Sequence, residues 1–158
     1  MHKKSVPLIR QMGTTDCGIA ALTMIFQYYK YKIDISELKA TTSIGRNGMS
    51  LAKMKEITEE HNFSFKAYGS YETEENLIKC LPIIMCSKEN HYVVVAEKKY
   101  GKYILLDPLK GKEKVDYSYI KKNFLDVLVC VRPTEKNYKR EKRESFLIPI
   151  NKSKLFLA

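Results

Sequence analysis

Three residue types that act together in acyl-transfer chemistry occur in this chain in the order cysteine, histidine, aspartate. Cys17 follows the turn-like segment Gln11–Asp16 and begins an apolar stretch with helical spacing. The free N–H groups of a helix start would face its sulfur and favour a thiolate. His91 begins the strand-like run His-Tyr-Val-Val-Val-Ala, and Asp107 ends another, Tyr-Ile-Leu-Leu-Asp. This order is that of one group of cysteine hydrolases.

A helix start alone is too weak to ionise Cys17. Lowering a thiol pKa from about 8.5 to about 5 requires about 5 kcal/mol. A helix end supplies about 0.3–1 kcal/mol, or ~2 in a sheltered site. Asp16 would oppose ionisation unless its carboxylate turned away to cap the helix, for which Thr15 is the other candidate. The remainder must come from a cation, and we predict an imidazolium at His91, which would also protonate the leaving amine.

Asp107 is the candidate acceptor for the second ring nitrogen of His91. The two strands are predicted to form a hairpin through residues 98–101. A two-residue turn there would pair residues whose numbers sum to 201 and would place the two side chains on opposite faces. A loop of three or five residues gives an even sum and one shared face, so the triad predicts an odd-length loop. A plain turn at Asp107 and a structural role for His91 are the alternatives.

Gln11, six residues before the cysteine, can direct an amide donor toward a carbonyl oxygen under attack. Together with the backbone N–H of Cys17 it would form an oxyanion hole. A solvated glutamine in a turn is the alternative. Gly18 would permit close approach of other groups to the helix start.

Composition and cysteine spacing restrict the class of protein. A chain of 158 residues with 44% apolar content fits one folded domain. There is no apolar run long enough to span a bilayer and no signal-peptide h-region at the start. The four cysteines include no CxxC pair, so neither a zinc site nor a disulfide framework is favoured. Reduced thiols are expected, with Cys80, Cys86 and Cys130 in the core.

The net charge of +10 would by itself suggest an anionic partner. Half of it lies in residues 132–154, which hold eight basic and three acidic side chains. This segment has the composition of a polar tail, and no zinc-finger, RNA-binding or phosphate-loop motif accompanies it, so nucleic acid is not a predicted partner. A solvated linker and a basic segment beside anionic lipid both remain open.

Periodicity and turn signals predict helices in the first half and strands in the second. Helices are expected at 17–31, 34–38, 50–61, 73–80 and 117–123, and strands at 63–68, 82–86, 92–97, 103–107 and 126–132. This order favours an α+β domain rather than a βαβ array.

The combined pattern resembles a known family. Gln11-x4-Asp-Cys-Gly-x-Ala-x3-Met24, followed by His91-Tyr-Val-Val and Asp107-Pro, is similar to the C39 peptidase domains of bacterial peptidase-containing ABC exporters. The resemblance covers about residues 6–133. It implies a papain-like α+β fold with N-terminal helices packed on a C-terminal antiparallel sheet. The expected organisation is a peptidase domain at 1–133 and a basic linker at 134–158 leading to a transmembrane domain.

The same resemblance implies a function and roles for the motif residues. Cys17 would be the nucleophile, His91 the general base and acid, Asp107 the orienting group and Gln11 the oxyanion donor. The implied activity removes the leader from a bacteriocin or lanthipeptide precursor after a Gly-Gly or Gly-Ala site, coupled to export at the cytoplasmic face of the membrane. No cofactor or metal is expected in this domain, and ATP would be used by a C-terminal ATPase domain.

The expected partners are a precursor peptide with an amphipathic leader helix and the transmembrane and ATPase domains of the exporter. A shallow apolar groove would receive the leader, and its candidate lining residues are Met49, Leu51, Met54, Phe65 and Tyr68. Ordinary core packing is the alternative for these five. Two other functions remain open: another Cys-His-Asp acyl-transfer enzyme, such as an arylamine acetyltransferase or transglutaminase-like protein, and a non-catalytic domain that tethers cargo.

Overall fold

The computed structural model describes residues 4–137, and within that range five helices and six strands can be given with both ends, while residues 135–137 are also helical. The helices are α1 (Cys17–Tyr28), α2 (Ile35–Ala40), α3 (Leu51–Glu60), α4 (Glu74–Cys80) and α5 (Tyr117–Asn123). The strands are β1 (Phe63–Gly69), β2 (Ile83–Cys86), β3 (Tyr92–Lys99), β4 (Lys102–Asp107), β5 (Gly111–Val115) and β6 (Val127–Pro133).

The six strands form one antiparallel sheet in the order β1-β6-β2-β3-β4-β5. The predicted α+β class is therefore confirmed. The sequence pattern does not predict β5, whose Gly-Lys-Glu-Lys-Val sequence is mostly charged. Among residues 4–137 it pairs only with β4, at the edge of the sheet, and exposed edge strands commonly carry lysines for protection against further pairing.

Short polar side chains begin four of the five described helices. In α2 to α5, the side chain of the residue immediately before the helix accepts a hydrogen bond from a backbone N–H of the first turn, as N-cap residues do. These caps are Asp34, Ser50, Thr73 and Asp116. Helix α1 is different, because Asp16 stands at its N-cap position without a side-chain capping bond. Capping of α1 by Asp16 is therefore wrong, since another set of partners holds its carboxylate.

Apolar clusters cover both faces of the sheet. Successive residues of β3 point to opposite faces, so Val94 belongs to the cluster around α1 and α3, whereas Val95 belongs to the cluster that includes α4 and α5. The first ten residues of α1 are all buried. Each large apolar side chain buried in this way contributes about 1.5–3 kcal/mol, so α1 is a firmly packed support for the residue at its start.

The hairpin of β3 and β4 reaches its register by an unexpected route. Its turn has two residues, Tyr100 and Gly101, with φ of 51° and 76°, as in a type I′ turn. Near the turn the paired residue numbers sum to 201, but a β-bulge between Val95 and Glu97 changes the sum to 200 toward the other end. The expected odd-length loop is wrong, and the bulge supplies the even register instead.

The first residues of the predicted linker contact the domain. The Thr134 backbone N–H donates to the Asn62 carbonyl (3.2 Å), and the Asn137 side-chain amide donates to the His61 carbonyl (2.9 Å). The rest of that linker, 138–158, lies outside the described residues. Between residues 4 and 137 the helices are too short or too polar for any of them to cross a membrane.

Candidate active site

Cys17 is the first residue of α1 and is only 7% exposed. The glycine after it, Gly18, is closely packed. A Cβ atom on Gly18 would lie 3.1 Å from Met49 Sδ and 3.4 Å from Tyr92 Cδ2. Tyr92 in turn donates its hydroxyl hydrogen to the Met49 carbonyl (2.9 Å). The start of α1, the segment before α3 and the start of β3 therefore meet at the cysteine.

A short turn and a buried carboxylate fix His91 in place. The Ser87 backbone N–H donates to the His91 carbonyl (2.8 Å), which closes the turn between β2 and β3. His91 Nε2 lies 2.7 Å from Asp107 Oδ1, and that oxygen also accepts from the backbone N–H groups of Leu109 (2.8 Å) and Lys110 (3.1 Å). Burial raises the pKa of Asp107, but these hydrogen bonds lower it by a larger amount, so the carboxylate is charged.

The contact between Cys17 and His91 favours a charged pair. Asp107 engages Nε2, which leaves Nδ1 as the ring nitrogen available to the thiol. Burial raises the pKa of Cys17, but the hydrogen bond with His91 and the backbone N–H groups of Tyr92 and Gly18 lower it by more. The hydrogen bond with Cys17, together with the bond to Asp107, raises the pKa of His91 to about 9 despite burial. Both shifts stabilise a thiolate beside an imidazolium.

Gln11 connects the histidine-orienting loop to the turn before the cysteine. Its backbone N–H donates to the Pro108 carbonyl (3.0 Å), and its Nε2 donates to the Gly13 carbonyl (2.8 Å). One hydrogen on Nε2 remains available for another acceptor. The side-chain oxygen Oε1 is buried and has no hydrogen-bond partner in the described part of the chain.

Sequence reasoning missed one charged residue close to this site. The buried Asp16 carboxylate accepts from the Gly13 backbone N–H (2.8 Å) and from Lys39 Nζ (2.7 Å). Lys39 lies on α2, 23 residues further along the chain, and no spacing rule connects the two positions. The ion pair depends on how α2 packs against α1, which the sequence pattern does not specify.

The five candidate groove residues do not share one environment. Met54 is fully buried in the core, so its placement in a surface groove is corrected: the apolar side of α3 points toward α1 and the sheet. Met49 is 7% exposed and packs against Gly18. Leu51 and Phe65 are half-buried against the same core, and Tyr68 is 46% exposed.

The other potential ligands in the described region are dispersed. All four cysteines are free. Across residues 4–137 there is no group of three or more His, Cys, Asp or Glu side chains that could hold a metal ion.

Comparison with known proteins identifies the family. The model of the peptidase C39 family matches residues 5–136. The chain is 28% identical, over 92% of its length, to the lacticin-481/lactococcin-DR transport/processing ATP-binding protein of Lactococcus lactis subsp. lactis. It is 29% identical, over 83% of its length, to the colicin V secretion/processing ATP-binding protein of Escherichia coli. It spans 22% and 19% of these two relatives.

Solved structures agree with this assignment. A double glycine motif protease from an AMS/PCAT transporter, solved in complex with the leader peptide, superposes with a TM-score of 0.73 at 26% identity, covering 84% of this chain and 94% of that one. The peptidase domain of Streptococcus ComA has the same fold, with a TM-score of 0.71 at 18% identity and coverage of 82% and 99%. The family match spans nearly all the described residues, and this chain therefore belongs to the peptidase C39 family.

Proposed function

We propose that this domain is a cysteine endopeptidase that removes the leader from a bacteriocin or lanthipeptide precursor after a double-glycine-type site. The observation that carries the proposal is the 2.7 Å bond between His91 and Asp107, which holds the imidazole against Cys17 at the start of α1. A relative of the same fold is described as a double glycine motif protease with a leader peptide bound. Together they support hydrolysis of a peptide bond by thiolate attack.

The proposed reaction begins with attack of the Cys17 thiolate on the carbonyl carbon of the last leader residue. The oxyanion that forms accepts hydrogen bonds from the Cys17 backbone N–H and from the free hydrogen on Gln11 Nε2. The His91 imidazolium protonates the leaving amine, the C–N bond breaks, and a thioester remains on the sulfur. Neutral His91 then takes a proton from water, whose oxygen attacks the thioester. The C–S bond breaks, the leader is released with a new carboxyl group, and the Cys17 thiolate beside the His91 imidazolium is restored.

Substrate recognition is proposed to involve the accessible members of the candidate groove. Leu51, Phe65 and Tyr68 present apolar surface that suits the apolar side of a leader helix. Met49 is proposed to contact the residues next to the scissile bond, because it packs over Gly18 directly beside the nucleophile. Met54 is omitted from this set because it is fully buried.

The proposed context is a larger exporter, since the chain spans about a fifth of relatives that are transport/processing ATP-binding proteins. We infer that transmembrane and ATPase domains are its partners and that ATP is used there, not at the thiol site. The domain would then lie at the cytoplasmic face of the membrane. A basic segment such as 132–154 agrees with the excess of positive charge on that side.

A peptide-cleavage assay tests the proposed function. The substrate is a synthetic amphipathic leader that ends in Gly-Gly and is followed by a short cargo. We expect cleavage directly after the second glycine, read by mass spectrometry, in the presence of EDTA and without ATP. A matched peptide with Val-Val at the site should remain intact.

Two other results would contradict the proposal. Turnover of an acyl-thioester with an arylamine acceptor, without peptide cleavage, would indicate the acyl-transfer alternative. Leader binding with neither reaction would indicate a tethering domain.

A further inference from the structure

Lys39 lies outside the residues to which a catalytic role was assigned, yet it makes a close contact with the turn before the nucleophile. We propose that Lys39 is a positioning residue of this peptidase, holding the turn that carries Gln11 and compensating the negative charge of Asp16 beside Cys17. The proposal rests on the function proposed above and adds a residue to it.

The contacts form a continuous path from the surface to the site. Lys39 Nζ is 2.7 Å from Asp16 Oδ2, and the same oxygen accepts from the Gly13 backbone N–H at 2.8 Å. The Gly13 carbonyl accepts from Gln11 Nε2 at 2.8 Å. Gly13 therefore links the ion pair to the oxyanion donor through its two backbone polar groups. Packing there is tight, because a Cβ at Gly13 would lie 3.2 Å from Asp16 Oδ2.

The start of the Gln11 segment is fixed by the loop after Asp107. The orientation of the Gln11 side chain therefore depends on the other end, which Lys39 holds through Asp16. Arg10 Nη1 donates to the Leu109 carbonyl (2.8 Å), and the Gln11 backbone N–H donates to Pro108. These bonds attach the segment to the loop after Asp107 but leave the amide orientation of Gln11 undetermined. Gly13 supplies the side-chain contact that sets it, and Asp16 with Lys39 holds Gly13.

The ion pair also has an electrostatic consequence. The side chain of Asp16 is 3% exposed, so solvent screens its charge poorly, whereas Lys39 is 43% exposed and reaches in from the surface. Asp16 immediately precedes Cys17, and an uncompensated carboxylate there would disfavour the thiolate. Lys39 provides the compensating positive charge.

The other titratable groups that face Cys17 lie on the sheet. They are His91 before β3, Tyr92 at its start and Cys86 at the end of β2. Burial raises the pKa of both Tyr92 and Cys86, so these two stay neutral where the thiol ionises. Of the charged groups, His91 hydrogen-bonds Cys17 directly, and Asp16, the residue before Cys17, is the group through which Lys39 is proposed to act.

The test compares Lys39→Met with Lys39→Arg and with the control Lys98→Met. Lys98 makes a partly exposed ion pair of similar length with Glu74 (2.9 Å), seven residues along the chain from His91. For Lys39→Met we expect kcat for the Gly-Gly leader peptide to fall about tenfold, with KM changing less than about twofold. The midpoint of the acidic limb of the kcat/KM profile should move to higher pH by about one unit. This is the size expected for one poorly screened neighbouring charge. Lys39→Arg should restore both values, and Lys98→Met should change neither.

A second pair of variants separates charge compensation from structural support. Asp16→Asn keeps an acceptor for Gly13 but removes the charge, so Asp16→Asn/Lys39→Met should return the acidic limb to the wild-type value. If Lys39→Met fails to fold, Asp16→Asn is measured alone. The midpoint of its acidic kcat/KM limb should then lie at or below the pH of the wild-type midpoint. A folded Lys39→Met with an unchanged kcat and acidic limb would overturn the proposal.

The thiol can also be followed without a substrate, by the pH dependence of iodoacetamide alkylation at Cys17. If the wild-type protein cleaves no leader, the proposed function fails, whereas an upward shift of this alkylation midpoint in Lys39→Met would still support the role of Lys39. If leader cleavage occurs but the midpoint does not move in that variant, the role of Lys39 fails alone.

Discussion

Replacement of Cys17 by alanine is expected to abolish leader cleavage, with a loss of at least about 10⁴-fold in kcat, because the variant has no atom that can form the thioester. Folding should be retained, since the change removes one sulfur from a helix start whose following nine residues are all buried. Leader affinity should also persist, because the proposed groove residues are untouched. The measurement is a cleavage time course by mass spectrometry, with calorimetry for binding and a thermal melt for folding.

Cys80→Ala is the matched control for this variant. Cys80 is also a free, partly buried thiol, but it packs in the cluster with α4 and α5, on the other face of the sheet. The Cys80→Ala variant should therefore cleave the leader at the wild-type rate. Sustained turnover by Cys17→Ala would refute the assignment of the nucleophile.

The second large effect is expected at Asp107. Asp107→Ala removes the acceptor that serves the His91 ring and the Leu109 and Lys110 backbone N–H groups. We expect kcat/KM to fall by about 10²–10⁴-fold, since the imidazole loses its orienting partner. The free energy of unfolding should fall by about 1–3 kcal/mol, because three part-buried hydrogen bonds lose their acceptor. Cleavage kinetics and urea unfolding measure the two effects.

Asp107→Asn separates the geometry of this contact from its charge. The asparagine amide oxygen can still accept from the same three donors, so its loss of activity should be smaller than that of Asp107→Ala. The carboxylate charge contributes to raising the pKa of His91 to about 9, and removing it should lower that pKa. Because the active pair requires protonated His91, activity is lost as pH rises through the alkaline limb, and Asp107→Asn should move that limb to lower pH.

The kcat/KM profile between about pH 5 and 10 gives the result. The limb belongs to the coupled thiol and imidazole rather than to either group alone. A wild-type profile in Asp107→Ala, or an unmoved alkaline limb in Asp107→Asn, would contradict the orienting role.

Local features of the fold could be predicted from the sequence because their causes are local. Ser50 and Thr73 have short polar side chains and directly precede segments whose apolar residues recur at helical spacing. Both are N-caps in the structure. Cys17 begins its helix as expected because the polar turn before it gives way abruptly to apolar residues. The alternation in β1 and the apolar runs of β2 to β4 likewise identify strands without reference to distant residues.

Features that depend on distant partners could not be predicted. The register that brings His91 and Asp107 together depends on a bulge between Val95 and Glu97, and nothing in that stretch distinguishes a bulge from regular pairing. Met54 has the apolar character of a groove residue, and only the packing of α3 against α1 shows that it is buried.

Two features that depend on charged residues were also not predictable from the sequence pattern. Strand β5 was missed because its lysines suit an exposed edge but lack an apolar pattern. The lysine that pairs with Asp16 was missed because the two residues meet only when α2 packs beside the turn before Cys17.

The most direct test of the central claim, that His91 holds the Cys17 sulfur ionised, is the pH dependence of Cys17 alkylation by iodoacetamide in the wild-type protein and in His91→Ala. Alkylation follows the thiolate, and mass spectrometry of the modified peptide reports Cys17 separately from the other three thiols. The wild-type midpoint is expected well below the ordinary thiol pKa of about 8.5, and it should rise by more than one pH unit in His91→Ala. A wild-type midpoint at the ordinary value, unchanged by loss of the imidazole, would contradict the account.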